Sequence, residues 1–114
     1  MANTFKVITK AGITSLDTIY TVASSTTTVV LGLVLGNTTS SSVTSTVTLS
    51  SNTANRAGAN NEANQDVEIV TNAPIPSASS LSVLDGKIIM ETTDILKVSA
   101  SGAIDVILSV MEQT

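Results

Sequence analysis

Alternation with a period of two decides what this chain can become. Val43-Thr44-Ser45-Thr46-Val47-Thr48-Leu49 is its plainest stretch, with Val43, Ser45, Val47 and Leu49 on one side of an extended backbone and three threonines on the other. β-branched side chains lose little rotamer freedom in strands and sit well on a pleated surface, so a sequence dominated by threonine, valine and isoleucine favours sheet. No segment carries a convincing helical period. Ala54 to Gln65 contains Ala, Glu and Gln and is the one place for a helix, but Gly58 and the asparagines oppose it.

Further runs extend the pattern. Phe5, Val7 and Thr9 alternate with Lys6, Ile8 and Lys10 in an opening strand that Gly12 ends, its lysines suited to an edge. Leu16, Thr18, Tyr20 and Val22 share one face of a second strand, broken at Ser24-Ser25. Thr27 to Asn37 is almost continuous in apolar β-formers and reads as a central strand buried on both sides. Asn37-Thr38-Thr39-Ser40 is a turn, and Ser50 to Gln65 is one long polar loop. Val67, Ile69 and Thr71 resume the alternation. The prolines of Ala73-Pro74-Ile75-Pro76 then stop it, marking an edge or a crossing between sheets. Ser80–Leu84 and Lys87–Glu91 flank Asp85-Gly86, a two-residue hairpin signal. Leu96 and Val98 point inward from another strand. In the last, Ile104, Val106, Leu108 and Val110 line one face and Asp105, Ile107, Ser109 and Met111 the other. Eight or nine short strands at this spacing predict one all-β domain over residues 1–114, a single antiparallel β-sandwich of jelly-roll type.

Composition narrows the chemistry. The 114 residues include no histidine, cysteine or tryptophan, one tyrosine and one phenylalanine. Disulfides, thiolate metal sites, cysteine nucleophiles and imidazole acid–base catalysis all drop out. Five cations stand singly against nine acids, so no basic stripe exists to neutralise phosphates and nucleic acid is not an expected partner. The longest apolar stretch, Val29 to Leu35, is interrupted by Gly32 and falls far short of the roughly 20 residues a membrane helix needs. Met1-Ala2-Asn3-Thr4 opens nothing like a signal peptide, which predicts synthesis in a cytoplasm.

The remaining candidates for chemistry are thin. Glu62, Asp66 and Glu68 offer carboxylates that could in principle hold calcium, but the glycine-containing acidic loop pattern is missing, and solvation of a strand's outer face explains them. Asp85 and Asp94, read as a glycosidase pair, are both explained by turns. Asn37-Thr38-Thr39 matches a glycosylation acceptor and is equally a turn. Phe5 and Tyr20 fall on apolar strand faces, where core packing competes with a sugar-binding platform. Neither an enzyme nor a cofactor is expected. Ile19, Val34, Val70, Ile95, Ile107 and Met111 lie opposite the faces assigned to the core, and a sandwich of this length cannot hide them all. Some should meet another protein, with scattered single exposure as the alternative.

Several segments, taken in order, carry a resemblance. They are Met1-Ala2-Asn3-Thr4-Phe5-Lys6, Thr18-Ile19-Tyr20-Thr21-Val22, Leu31-Gly32-Leu33 leading to Asn37-Thr38-Thr39, and the hydroxyl-rich strand Val43 to Leu49. Asn72-Ala73-Pro74-Ile75-Pro76 with Ser80-Leu81, Leu84-Asp85-Gly86-Lys87-Ile88, Asp94-Ile95-Leu96-Lys97-Val98 and the strand ending near Glu112-Gln113 complete the set. Together they resemble a group of small virion structural proteins of tailed bacteriophages, particularly phages of cyanobacteria and other aquatic bacteria. The resemblance spans nearly the whole chain apart from the Ser50 to Gln65 loop, which looks like an insertion relative to that group. It implies a β-sandwich component of the phage particle, located in the virion after synthesis in the host cytoplasm, with no catalytic residues to transfer. The leading expectation is a capsid cement or decoration protein that stabilises contacts between major capsid proteins. Neck, tail and baseplate positions stay open, as does a glycan- or receptor-binding module of a tail fibre. The expected partners are the major capsid protein or other virion proteins, and a homo-oligomer, dimer or trimer, at a symmetry axis. Contact is expected through Phe5 and Lys6 of the opening strand, Arg56, Asn60 and Asn61 of the long loop, and Pro74, Ile75 and Pro76.

Overall fold

The alternating runs become strands. In the computed structural model, which describes residues 2–52 and 64–114, these are β1 (Asn3–Ile13), β2 (Asp17–Thr21), β3 (Thr27–Asn37), β4 (Val43–Ser51), β5 (Gln65–Ile75), β6 (Ser80–Ser82), β7 (Ile88–Met90), β8 (Ile95–Ala100) and β9 (Ile104–Gln113). One sheet, sheet A, runs β1-β9-β3-β6 with β7 also on β3; the other, sheet B, runs β2-β8-β4-β5. Every pairing among the described residues is antiparallel: β1 with β9, β2 with β8, β3 with β6, β7 and β9, and β4 with β5 and β8. The chain is therefore one long ribbon, doubled back between β4 and β5 and rolled so that successive ribbon pairs fall in opposite sheets. That is the wiring of a jelly roll, as the strand pattern predicts.

Alternation places the core between the sheets. Ile104, Val106, Leu108 and Val110 of β9 are fully buried, beside Val30, Leu33 and Leu35 of β3, and they face Val47, Leu96, Val98 and Ile75 of sheet B. Each such side chain contributes about 1.5–3 kcal/mol by leaving water. The β1–β9 ladder continues beyond the strands, with Ala2 and Thr114 exchanging both backbone hydrogen bonds.

The structure departs from the sequence reading in particular places. β6 and β7 form no hairpin with each other. Both lie along the same edge of β3, Leu81 opposite Leu35 and Ile89 opposite Val29, as two pieces of one interrupted strand. The reason is burial: Val83 and Leu84 pack on the core, and the Val83 amide donates to the Leu33 carbonyl at 2.9 Å, so the chain detours there instead of reversing. Gly86 accordingly stays out of the left-handed region that a two-residue hairpin turn demands. β3 is central but covered on one side only, leaving Leu31 and Val34 exposed. A bulge between Val30 and Gly32 turns Leu31 outward and keeps Val30 inward with Leu33 and Leu35. A second bulge between Thr18 and Tyr20 buries Ile19 and Tyr20 together, so Ile19 belongs to the core, while Leu16 stands exposed. Val70, also expected on a second face, is partly buried against the core. β1 does not stop at Gly12. The glycine adopts φ +69° within an irregular stretch of the β1–β9 register, and the strand ends at Ile13. Ser50, Ser51 and Gln65, assigned to the long loop, are strand residues.

Candidate interaction surfaces

The two outer faces of the sandwich differ in chemistry. On sheet A the register lines up Phe5, Met111, Val29 and Ile89 across four strands, and farther along Thr9, Ile107, Val34 and Ser82. Between these rows lie Val7, Ser109 and Gly32. Phe5 is 74% exposed, Val7 65%, Ile89 63% and Ile107 49%, and Leu31 and Val34 are open as well. Leu16 and Val67 are the two other large apolar side chains exposed among the described residues, so six of eight share this one face. Among the described strand residues of the face, Asp105 alone is charged. It sits at one end, where a carboxylate oxygen accepts from the Gly12 amide at 3.1 Å.

Sheet B turns hydroxyls and charges outward. Thr18, Lys97, Thr48 and Glu68 form one cross-strand row on the side away from the core, and Ile95, Ser50 and Asp66 another, with Thr48 and Ser50 themselves buried within these rows. Part of this threonine ladder fastens its own sheet. The Thr46 hydroxyl accepts from the Asn72 amide at 3.0 Å, Ser50 donates to Asp66, and Thr71 donates to Glu68.

The even-numbered side chains of β1 point toward the sandwich, because Ile8 pairs with Leu108 and Lys6 with Val110. Lys6 thereby reaches Glu112, Nζ to Oε1 at 2.7 Å. The other Glu112 carboxylate oxygen accepts from the Tyr20 hydroxyl, and the Thr28 hydroxyl, 2.7 Å away, donates to the phenol oxygen in turn. Burial first, and then the adjacent carboxylate, push the Tyr20 phenol up to about 12. Lys6 first, and then the Tyr20 hydroxyl, hold the Glu112 carboxyl below its ordinary value. This chain of groups ties β1, β2, β3 and β9 together, and nothing in it activates a nucleophile.

The residues expected to touch a partner fall into three groups. Phe5 is exposed, against the expectation of core packing, since its register with Met111 fixes it outward. Lys6 is half exposed and engaged with Glu112. Pro74 and Pro76 are exposed on and beside edge strand β5, where proline costs no ladder hydrogen bond. Ile75 between them is fully buried, so its side chain offers nothing to a partner. Arg56, Asn60 and Asn61 lie outside the described residues, as does Glu62.

Asn37 is a buried bracket. Its amide nitrogen donates to the carbonyls of Ser41, Ile75 and Pro76, and its side-chain oxygen accepts from the Thr39 amide and hydroxyl, which leaves no free amide to glycosylate. Asp94 is a turn residue, its carboxylate accepting from the amides of Asn52 and Glu91. Among the described residues there is no pocket and no convergence of three acidic side chains. Val7, Leu31 and Ile89 complete the apolar face and were not singled out by sequence. Val7 shares the parity of Phe5, but whether that parity points in or out depends on pairing with β9.

A solved structure of Bacillus endospore appendages, described as a novel family of disulfide-linked pili, matches 99% of this chain and 87% of its own with a TM-score of 0.51 and 14% identity. The likeness is one of fold. No family model and no curated protein matches this sequence.

Proposed function

We propose that this chain is a non-enzymatic structural subunit that works by burying surface against other proteins. Following its resemblance to phage virion proteins, we propose further that it is a capsid cement protein bridging major capsid proteins. The apolar outer face of sheet A carries this reading. Folded monomers rarely leave a contiguous apolar patch of this extent in water, and one that does so on a flat sheet is suited to contact, not to enclosing a small substrate. A rolled sandwich of the same fold occurs in the Bacillus appendages, which makes a subunit of a protein filament the second reading. Those pili are disulfide-linked; a chain with no cysteine would have to hold its neighbours by buried area and hydrogen bonds alone.

Thermal melting of particles with and without the chain tests the cement reading. Depleted capsids should open at lower temperature, and adding back the purified protein should restore them. Identical melting of depleted and complete particles overturns it, and self-assembly of the purified chain into filaments, seen by electron microscopy, would favour the second reading.

A further inference from the structure

We propose that the outer face of sheet A is covered by a second copy of this chain, stacked face to face about a two-fold axis that lies between the sheets and runs across the strands. The inference rests on the reading that this face works buried, and it names the occupant. Size is the first argument. Three strands of 10 or 11 residues and the two three-residue pieces β6 and β7, at about 4.8 Å spacing and roughly 3.4 Å per residue, give a face of about 600 Å² per copy. Two such faces bury about 1,200 Å² in total, within the range of specific interfaces.

Chemistry is the second argument. The strand residues of the face offer a partner no cation and one carboxylate at its end, so what covers it must itself be apolar and nearly uncharged. The same face on another copy meets that description, and sheets bearing valine, isoleucine, leucine and serine stack readily about 10 Å apart. Charge then selects the orientation. An axis running across the strands exchanges the two ends of the face, laying the Phe5–Met111–Val29–Ile89 row of one copy over the Thr9–Ile107–Val34 row of the other. Each Asp105 comes to lie at the Asn3 end of the opposite copy, as far as the face allows from the other Asp105. An axis along the strands would bring both carboxylates to the same end, where they repel. Lys87 and Glu91, just beyond the ends of β7, stand at the rim beside Ile89, where a polar border is ordinary.

Sedimentation of the full chain over a micromolar concentration series tests the proposal. The expected result is a species of twice the 11.6 kDa chain mass, with Ile107→Lys and Val34→Lys each weakening self-association by at least about a hundredfold through a buried, unpaired charge. Phe5→Glu, at the most exposed of these positions, repeats the test should either lysine variant fail the check of fold by circular dichroism. Val67→Lys, an exposed apolar position away from the face, should leave the dimer intact. A chain that stays monomeric throughout, or a dimer that survives in folded face variants, overturns the proposal. The same variants added to depleted particles separate the two readings. A monomeric wild type whose face variants nonetheless fail to restore heat resistance overturns the stacking and upholds the buried face. A dimer lost in variants that restore particles fully upholds the stacking and overturns sheet A as the surface that cements the capsid.

Discussion

Tyr20 is the residue at which sheet packing and electrostatics meet. Its ring is core, and its hydroxyl joins Glu112 and Thr28 while Lys6 closes the chain of groups from β1. The folded state holds the phenolic proton more tightly than the unfolded chain, whose tyrosine ionises near 10.0, so this group's contribution to stability is complete below that pH and is lost as pH rises toward about 12. Glu112 acts in the opposite sense. Its contribution is present above 4.5 and is lost on acidification below it. With one tyrosine in the sequence, the near-ultraviolet absorbance of tyrosinate reports this site alone. The titration should centre near 12, and in Glu112→Gln it should fall yet stay above 10.0, because burial is the larger cause. A midpoint at 10.0 in the wild type would contradict the buried, carboxylate-paired phenol. Tyr20→Phe should cost about 1–2 kcal/mol in urea unfolding, the worth of a part-buried charge-assisted hydrogen bond. The alternation around Tyr20 was legible in the sequence. The bulge that buries Ile19 beside it was not, because an extra residue in one strand is fixed by the partner strand β8.

Among the elements, the split strand shows where local signals yield to tertiary ones. Asp85-Gly86 carries the right residues for a tight turn, but a hairpin would leave Val83 and Leu84 in water, and the edge of β3 would go unpaired. Pairing β6 and β7 in tandem along β3 satisfies that edge and lets the intervening apolar residues reach the core. Gly86→Ala therefore separates the two arrangements. In a hairpin it would force a left-handed alanine, whereas here, with no atom near the added methyl, urea unfolding should change by no more than about 0.5 kcal/mol. Gly102 provides the contrast. It lies between β8 and β9 where the chain crosses from one sheet to the other, and a Cβ there would stand 2.7 Å from a methyl of buried Val43. Gly102→Ala should destabilise by about 1–3 kcal/mol, and a neutral result would mean that this crossing is looser than the packing indicates. Strand existence and type were legible throughout, and β9 was legible face by face, because its alternation is regular and every inward residue is large. The orientation of β1 was not, since Phe5 and Val7 look like core until the register with β9 assigns them outward.

Over the whole molecule, rolling one ribbon into two sheets gives a sandwich whose outer surfaces have unlike chemistry, and that difference sets how association should respond to solvent. The sequence announces the hydroxyl face of sheet B in β4 alone. The apolar face of sheet A is assembled from four strands far apart in the chain, so no single segment reveals it. If the chain associates through sheet A, little charge is removed from water and few ions are released or screened. The dissociation constant should then stay within about twofold as sodium chloride rises from roughly 50 mM to 500 mM, a range over which the Debye length falls severalfold. Sodium sulfate, which is excluded from protein surfaces and favours apolar burial, should tighten association, and urea should weaken it well before the sandwich unfolds. Association through sheet B behaves differently, because Lys97 of one copy could meet Asp66 or Glu68 of another and such pairs weaken with added salt. Sedimentation across the sodium chloride series decides between the faces: a flat response assigns the contact to sheet A, and a steep loss of dimer assigns it to the charged hydroxyl face.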